Sequence, residues 1–243
     1  MQEDSPAARN ANPVQNAPSD DRRQLGLDLS VRRSDYRRSN FVVTAANAAG
    51  LRLALDFLKS SEPALALAGP SGSGKTHLLH LLAEEAGGAV VDGSALAATD
   101  EDAFRLRFID NVERSAPKAL LALLENARAR ARKVALVGSG PPRLWARGLR
   151  DLETRLEAMA RVSLDEPDED LLRTVIEQRF RERQWRAAEG VAGYAAPRIP
   201  RTFAAAEAFV DAAGTAAIAA GKPINLGLAR KIVENLFEGG PRA

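Results

Sequence analysis

The sequence lacks cysteine and long apolar runs. No residue among the 243 is cysteine, which excludes disulfide bridges, thiolate metal sites and a cysteine nucleophile, and is compatible with a reducing cytoplasm. No segment approaches the ~18 apolar residues that a membrane span needs, and residues 1–24 contain no apolar run of the signal-peptide kind. We therefore expect a cytoplasmic protein that does not act on a membrane.

A strong excess of charge is also missing. The 34 basic and 32 acidic residues leave a formal net charge of only +2. Nucleic-acid-binding domains usually concentrate Lys and Arg on one face or helix, so the overall balance does not indicate one. The local cluster of Arg32, Arg33, Arg37 and Arg38 is more typical of a solvated face than of a binding patch.

What the sequence does contain is a phosphate-binding motif. The residues Gly69-Pro70-Ser71-Gly72-Ser73-Gly74-Lys75-Thr76 fit the pattern GxxxxGKT without a mismatch. The apolar run 64–68 before them predicts a strand, and the leucines after His77 predict a helix. Glycines let backbone N–H groups point at phosphate oxygens, and the helix start adds its positive dipole end. Lys75 is expected on the β- and γ-phosphates and the Thr76 hydroxyl on Mg²⁺. A Gly/Ser-rich turn that only resembles the motif is the alternative.

Strands and helices alternate around this phosphate loop, Gly69–Thr76. Residues 1–22 are rich in Ala, Asn, Pro, Asp and Ser and are predicted to be a disordered tail. Alternation of strand and helix predicts an α/β domain with a parallel sheet covered on both faces. Because Arg105 and Arg107 alternate with apolar residues, the third strand is predicted at the sheet edge or with an exposed face. The expected elements are a helix from about Leu51 to before Pro63, strands at 89–91, 104–109 and 134–137, and a helix near 117–130.

The last third of the chain has helical patterns only. The acids Asp168-Glu-Asp170 open a helix, and further helices are expected near 186–196, 201–218 and 223–237. We therefore predict an α/β nucleotide-binding domain over residues 31–165 and a small all-helical lid over residues 166–243.

A metal-side acid is expected at the end of the third strand. Asp110 is the candidate for holding the water shell of Mg²⁺, and an ordinary strand-end Asp is the alternative. The next residue is Asn111, whose amide can orient water but cannot accept its proton. Intrinsic hydrolysis should therefore be slow unless Glu113 substitutes. After the fourth strand, Ser139 is the side chain available to sense a γ-phosphate.

Two arginines are candidates for contacts with phosphate charge. Arg155 lies at the rim of the α/β domain, where an arginine could serve a neighbouring molecule's nucleotide as an arginine finger. Arg201 opens a lid helix and could close over the bound nucleotide. The alternative for Arg155 is an ordinary surface arginine.

Four further stretches of the sequence form a recognisable set: Asn40-Phe-Val-Val43 with Asn47, Gly74-Lys-Thr-His-Leu-Leu-His80, Ile109-Asp-Asn-Val-Glu113, and Ser139-Gly-Pro-Pro142 with Asp151-Leu-Glu-Thr-Arg-Leu156. In this order they resemble the AAA+ ATPases of the DnaA type. The sequence is most similar to the Hda family, regulatory relatives of DnaA, because no DNA-binding domain follows the lid. Residues 23–30 also contain Gln24-Leu-Gly-Leu-Asp-Leu29, which looks like the sliding-clamp-binding peptide of that family; a first strand or linker is the alternative.

The resemblance implies an AAA+ P-loop fold of three layers with a helical lid, and a role in switching off the initiator. Such proteins bind the clamp, which is the β subunit of DNA polymerase III, and stimulate hydrolysis of ATP held by DnaA. They contact DNA through the clamp. The resemblance is compatible with a homodimer. ADP or ATP with Mg²⁺ is the implied ligand. The implied nucleotide contacts are Val42, Val43, the eight loop residues, His77 and, as sensor-2 arginine, Arg201. Thr76 and Asp110 hold Mg²⁺ through water, Ser139 takes the sensor-1 position, Arg155 acts in trans, and Gln24, Leu25, Leu27 and Leu29 bind the clamp.

The sequence departs from the family at several positions, and two other functions compete. Ser139 stands where relatives often have Asp, Arg105 and Arg107 are unusual, and Gly190, Gly193 and Pro197 interrupt a lid helix that is usually continuous. A self-sufficient ATPase of the helicase-loader type, acting on DNA, is the main alternative. A small-molecule or nucleoside kinase is the other.

Overall fold

The computed structural model describes residue 36, residues 38–96 and residues 105–238. The predicted tail 1–22 and the candidate clamp-binding peptide 23–30, with Gln24, Leu25, Leu27 and Leu29, lie outside the described residues. The helices and strands, in chain order, are α1 (Ala45–Lys59), β1 (Ala64–Ala68), α2 (Lys75–Glu85), β2 (Val90–Asp92), β3 (Leu106–Asp110), α3 (Pro117–Ala129), β4 (Lys133–Val137), α4 (Arg150–Glu157), β5 (Ala160–Ser163), α5 (Glu169–Glu182), α6 (Val191–Ala195), α7 (Phe203–Ala220) and α8 (Leu226–Val233).

The five strands form one parallel sheet in the order β2-β3-β4-β1-β5. The predicted strand before the phosphate loop is therefore an inner strand: Leu65 of β1 lies opposite Ala135 of β4 and Ala160 of β5. All five residues of β1 are buried, as expected for a strand with helices on both sides.

The third strand is not at the edge, and this part of the sequence prediction was wrong. β3 pairs with β2 on one side and with β4 on the other. Phe108 and Ile109 are fully buried on opposite faces of the sheet, so the polar alternation applies only to the amino-terminal half, where Arg105 is exposed and Arg107 half-buried. The short β2 takes the edge position instead.

Helices cover both faces of the sheet, as the α/β pattern predicted. Alternate residues of β1, β3 and β4 enter two separate cores, because successive side chains of a strand point to opposite faces. On one face Leu65 and Leu67 pack with α1 and α2. On the other, Ala66 and Leu136 pack with α3, α4 and the fully buried Trp145.

The lid helices α5 to α8 share a third core. α5 contributes its apolar stripe, which includes Leu172 and Ile176, and α7 contributes Phe209 and Val210. The predicted helix at 186–196 is interrupted: α6 is short, Gly190 precedes it with a φ of 82°, and a 3₁₀ turn at Ala196–Arg198 contains Pro197. The helix is short because Gly190 adopts a left-handed backbone before it and Pro197 has no N–H group to continue it.

Within the described residues, α7 is also the one helix long and apolar enough to cross a membrane by length and composition. One of its faces carries Ala206, Phe209 and Val210, all fully buried in the lid core. An apolar helix of this kind is typical of a buried core element.

Candidate nucleotide-binding site

The candidate site is a cavity of about 530 Å³ at the carboxyl ends of the strands, where open parallel sheets bind their ligands. Its lining comes from the segment before α1, the phosphate loop, the ends of β3 and β4, and the lid. Of the predicted contact residues, the cavity brings together Val42, Ser71, Gly72, Ser73, Gly74, Lys75, Thr76, His77, Asp110 and Ser139.

The other predicted residues do not line this cavity. Val43 is 53% exposed. Gly69 and Pro70 contact the site through Lys75, because their carbonyl oxygens accept hydrogen bonds from its ammonium group. Arg201 forms an ion pair with Glu169 at 3.2 Å on the lid surface. Arg155 lies on α4 and pairs with Glu125 of α3 at 2.8 Å.

Lys75 is buried inside the phosphate loop. The side chain is 7% exposed, and Nζ donates to the Gly69 carbonyl at 2.9 Å and approaches the Ser73 hydroxyl at 3.5 Å. Burial lowers the pKa of Lys75, while the nearby carboxylates of Asp110 and Glu113 raise it. The loop therefore holds a positive charge at the point where the motif requires one for phosphate.

Thr76 and Asp110 lie next to each other, as a Mg²⁺ site of this kind requires. The Thr76 hydroxyl donates to Asp110 Oδ1 at 3.3 Å, and the Asn111 backbone N–H donates to the same oxygen at 2.9 Å. Burial raises the pKa of Asp110, whereas these two hydrogen bonds lower it. Hydroxyl and carboxylate oxygens are ligands that Mg²⁺ prefers. The described residues contain no group of three or more His or acidic side chains arranged for a metal, so phosphate and water would complete the shell.

Asn111 and Glu113 both line the cavity, but their side chains have different contacts. Asn111 has a left-handed backbone, with φ of 51°, and its Nδ2 donates to Asp92 Oδ2 at 2.7 Å, at the end of the edge strand. The Oε2 atom of Glu113 is buried and has no hydrogen-bond partner in the part of the chain that the structure describes.

The segment before α1 also lines the cavity. Asn47 of α1 fixes this segment: its Nδ2 donates to the Val42 carbonyl at 2.8 Å, and its Oδ1 accepts from the Thr44 N–H at 2.9 Å. Val42 also packs against the lid core. The ring of His77 meets that of Phe41 edge to face, with 5.0 Å between centroids. Val42 is therefore placed to contact both a bound base and the lid.

The lid touches the phosphate loop directly. A Cβ atom on Gly72 would lie 2.7 Å from Thr202 Cβ, and a Cβ on Gly74 would lie 2.9 Å from the Phe203 ring. Both glycines also have a positive φ, which other residues adopt only with strain. The first turn of α7 therefore lies against the loop because the loop has no side chains at these two points.

Sequence reasoning missed Arg179 of α5, which lines the cavity where Arg201 was expected. Its side chain is 12% exposed, and it pairs with Glu182 at 2.8 Å and with Glu207 of α7. Burial lowers the pKa of Arg179, but Glu182 and Glu207 raise it more. Its sequence signal is a cation on the apolar stripe of α5, four residues after Val175 and eight after Leu171.

The structure resembles solved AAA+ proteins, although no protein-family model and no curated protein matches the sequence. Domain III of the replication initiation protein DnaA from Thermotoga maritima aligns over 84% of this chain and 98% of its own, with a TM-score of 0.71 and 17% identity. The RuvB Holliday junction branch migration motor of the same organism aligns over 83% of this chain and 72% of its own, with a TM-score of 0.66 and 21% identity. A replication initiator DnaA bound to AMPPCP and single-stranded DNA aligns over 73% and 64%, with a TM-score of 0.60 and 18% identity.

These likenesses show the fold of the chain. The chain has the parallel five-stranded sheet and carboxyl-terminal helices of the AAA+ domains of DnaA and RuvB. Its similarity to the DnaA domain extends over almost all of that domain.

Proposed function

We propose that this protein is a nucleotide-binding regulator that inactivates a DnaA-type replication initiator. The observation that carries the proposal is the separation of two features: Lys75, Thr76 and Asp110 lie together in the cavity, whereas the candidate arginine finger lies outside it. Arg155 does not line the chain's own cavity and is held by Glu125. In this proposal the cavity binds ADP or ATP, and Arg155 acts on ATP bound to the initiator.

In this proposal the phosphate loop of the chain itself binds the nucleotide. The N–H groups of the loop and the start of α2 would donate to the phosphates, and Lys75 would exchange its Gly69 and Pro70 carbonyl partners for phosphate oxygens. Thr76 and Asp110 would hold Mg²⁺, which neutralises phosphate charge when bound. Val42 and the lid enclose the remainder of the nucleotide.

Arg155 can change partners at little cost. The side chains of Arg155 and Glu125 are 35% and 52% exposed, and exposed ion pairs of this kind contribute about 0–1 kcal/mol. A phosphate with developing charge is a stronger partner for a guanidinium group than an exposed carboxylate. The Glu125 contact therefore orients Arg155 without preventing its transfer to a partner's nucleotide.

The remaining partners are proposed from the sequence resemblance. Gln24, Leu25, Leu27 and Leu29 are proposed to bind the sliding clamp in extended form, with leucines filling apolar pockets. DNA is contacted through the clamp, the site of action is the cytoplasm, and self-association into a homodimer is compatible with this role.

A change of Arg155 to Ala tests the central role. We expect hydrolysis of initiator-bound ATP, measured with clamp and DNA present, to lose most of its stimulation, because removal of an arginine finger costs about 10³–10⁵-fold in the reactions where it has been measured. Arg150→Ala, an exposed arginine on the same helix, is the matched control and should retain stimulation. Unchanged stimulation by Arg155→Ala would reject the assignment.

The clamp peptide has a separate test. Changing Gln24 and Leu25 together to Ala should abolish binding to immobilised clamp, whereas the pair Val14→Ala and Gln15→Ala, within the predicted tail, should leave it intact. Retained binding by the first pair would show that the clamp is held elsewhere or not at all.

A self-sufficient ATPase of the helicase-loader type is the second candidate. It is favoured by the likeness of fold to an initiator bound to AMPPCP and single-stranded DNA. Rapid multiple turnover by the purified chain, stimulated by single-stranded DNA and independent of initiator, would support this candidate over the first.

A further inference from the structure

The residue after the metal-side acid is not available to activate water. Asn111 occupies the position directly after Asp110, and its amide donates to Asp92 at 2.7 Å. Asp92 is itself fixed by the backbone N–H of Ser94 at 2.9 Å. An amide cannot accept a proton from water, and this one is directed towards the edge strand. A base for hydrolysis must therefore come from another residue.

Glu113 is a carboxylate directed into the same cavity. It lies on the 3₁₀ turn Val112–Arg114, which is fixed by the fully buried Val112 and by the Arg114 N–H bond to the Asn111 carbonyl at 2.8 Å. Its Oε2 atom is buried and accepts no hydrogen bond from the described residues. A buried carboxylate oxygen without a donor destabilises a fold, and a catalytic role is one explanation for such a group in a native structure.

Glu113 lies in the same cavity as the residues that would bind the phosphates and Mg²⁺. It shares the cavity with Lys75, Thr76 and Asp110, and its charge is close enough to Lys75 to stabilise the ammonium form. Glu113 as a whole is half-buried and lines the cavity, so its carboxylate can accept a hydrogen bond from a water molecule there.

We propose that Glu113 is the general base for hydrolysis of ATP by this chain. The Glu113 carboxylate accepts a proton from a water molecule, and the water oxygen forms a bond to the γ-phosphorus. The bond from the γ-phosphorus to the β,γ-bridging oxygen breaks, and ADP leaves with the electron pair. Products are ADP and inorganic phosphate, and Glu113 then releases its proton to phosphate or solvent. The inference rests on the proposed nucleotide site but not on the proposed partner.

This activity would let the chain convert ATP in its own cavity to ADP without a partner. Arg155, which lies outside the cavity, takes no part in this step.

The test measures conversion of bound ATP in a single turnover with excess wild-type protein, against Glu113→Gln. Rates are expressed per bound ATP, and affinity is measured separately with a fluorescent ATP analogue, so that weakened binding is not mistaken for loss of the base. We expect at least a tenfold slower conversion with an affinity within about threefold of wild type, since general bases contribute about 10²–10⁴-fold. Glu157→Gln, exposed on α4, should behave as wild type.

Two results would overturn the proposal: an unchanged rate in Glu113→Gln, or no conversion of bound ATP by the wild-type protein. If Glu113→Gln does not fold, Glu113→Asp replaces it, because it retains the charge but withdraws the carboxylate; slowing is again expected, and a wild-type rate overturns the proposal. Failure here leaves the Arg155 assay unaffected, because that assay follows ATP on the initiator.

Discussion

At the scale of single residues, the site holds buried charges of both signs that the fold alone does not need. Asp110 is 9% exposed, and burial raises the pKa of its carboxyl group despite hydrogen bonds from Thr76 and the Asn111 amide. An acid whose pKa is raised on folding destabilises the protein at pH values above that pKa, and the penalty disappears as the pH falls towards the unfolded value. We infer that this buried charge is retained because Asp110 takes part in binding Mg²⁺ and nucleotide.

Replacing Asp110 with Asn should therefore stabilise the protein in the absence of nucleotide at pH 7. Each kcal/mol gained corresponds to a rise of about 2–4 °C in Tm for a chain of this size, and the difference from wild type should vanish as the pH falls towards 3.8, the ordinary pKa of Asp. With MgATP present the order should reverse, because the variant loses Mg²⁺-dependent binding. Thermal melts with Asp56→Asn as the exposed control check this; a lower Tm for apo Asp110→Asn would contradict it.

At the scale of elements, the lid depends on one close contact between α7 and the segment after α5. A Cβ atom on Gly214 would lie 2.2 Å from the ring of Trp185. The guanidinium group of Arg183 also lies over the Trp185 ring, 5.2 Å from its centre, and it pairs with Glu207 of α7 at 2.9 Å. The glycine thus lets a large aromatic side chain lie directly on the helix backbone.

We expect Gly214→Ala to destabilise the lid and Gly193→Ala not to. Overpacking of a core costs about 1–3 kcal/mol, whereas an alanine in place of a helical glycine otherwise gains up to about 1 kcal/mol. A Cβ on Gly193, in α6, meets nothing within 4 Å, so it reports the backbone effect alone. Urea unfolding of both variants gives the comparison, and equal stability of the two would show that Trp185 moves away freely.

The elements with strong local patterns could be predicted from the sequence, and those decided by neighbours could not. The phosphate loop is contiguous, so its strand, loop and helix follow from one motif. β5 was missed because Ala160–Ser163 is short and carries exposed Arg161 and Ser163 beside buried Val162. The position of β3 depends on which strands pair with it, and no local pattern encodes that pairing. The apolar stripe of α5 marks Arg179 as unusual, but only the fold shows that this stripe lines the cavity.

At the scale of the whole molecule, the α/β domain and the lid meet at the loop. The α/β core beside α3 and α4 contains Trp145, and Trp185 packs against the lid core; these are the two tryptophans of the chain. Contact of Thr202 and Phe203 with Gly72 and Gly74 joins the lid to the loop. A ligand bound between them should stabilise both parts together.

Single-tryptophan variants make this prediction measurable. In Trp145→Phe the remaining Trp185 reports on the lid, and in Trp185→Phe the remaining Trp145 reports on the α/β domain. Nucleotide at 100 times its Kd should add about 2.7 kcal/mol, and the two probes should shift by the same amount. Lys75→Ala, combined with each, should abolish both shifts. A shift seen only by Trp145 would mean that the lid does not share in binding.

The strand order also determines when the sheet can form during synthesis. β1 pairs only with β4 and β5, and Ala135, the partner of Leu65 on β4, comes 70 positions later in the chain. At about 5–20 residues per second, a ribosome makes those 70 residues in roughly 4–14 s. For that interval the apolar strand leading to the phosphate loop has no partner, because an incomplete chain ending before residue 133 contains neither β4 nor β5. The nucleotide site therefore belongs to the last part of folding, although its motif is made early.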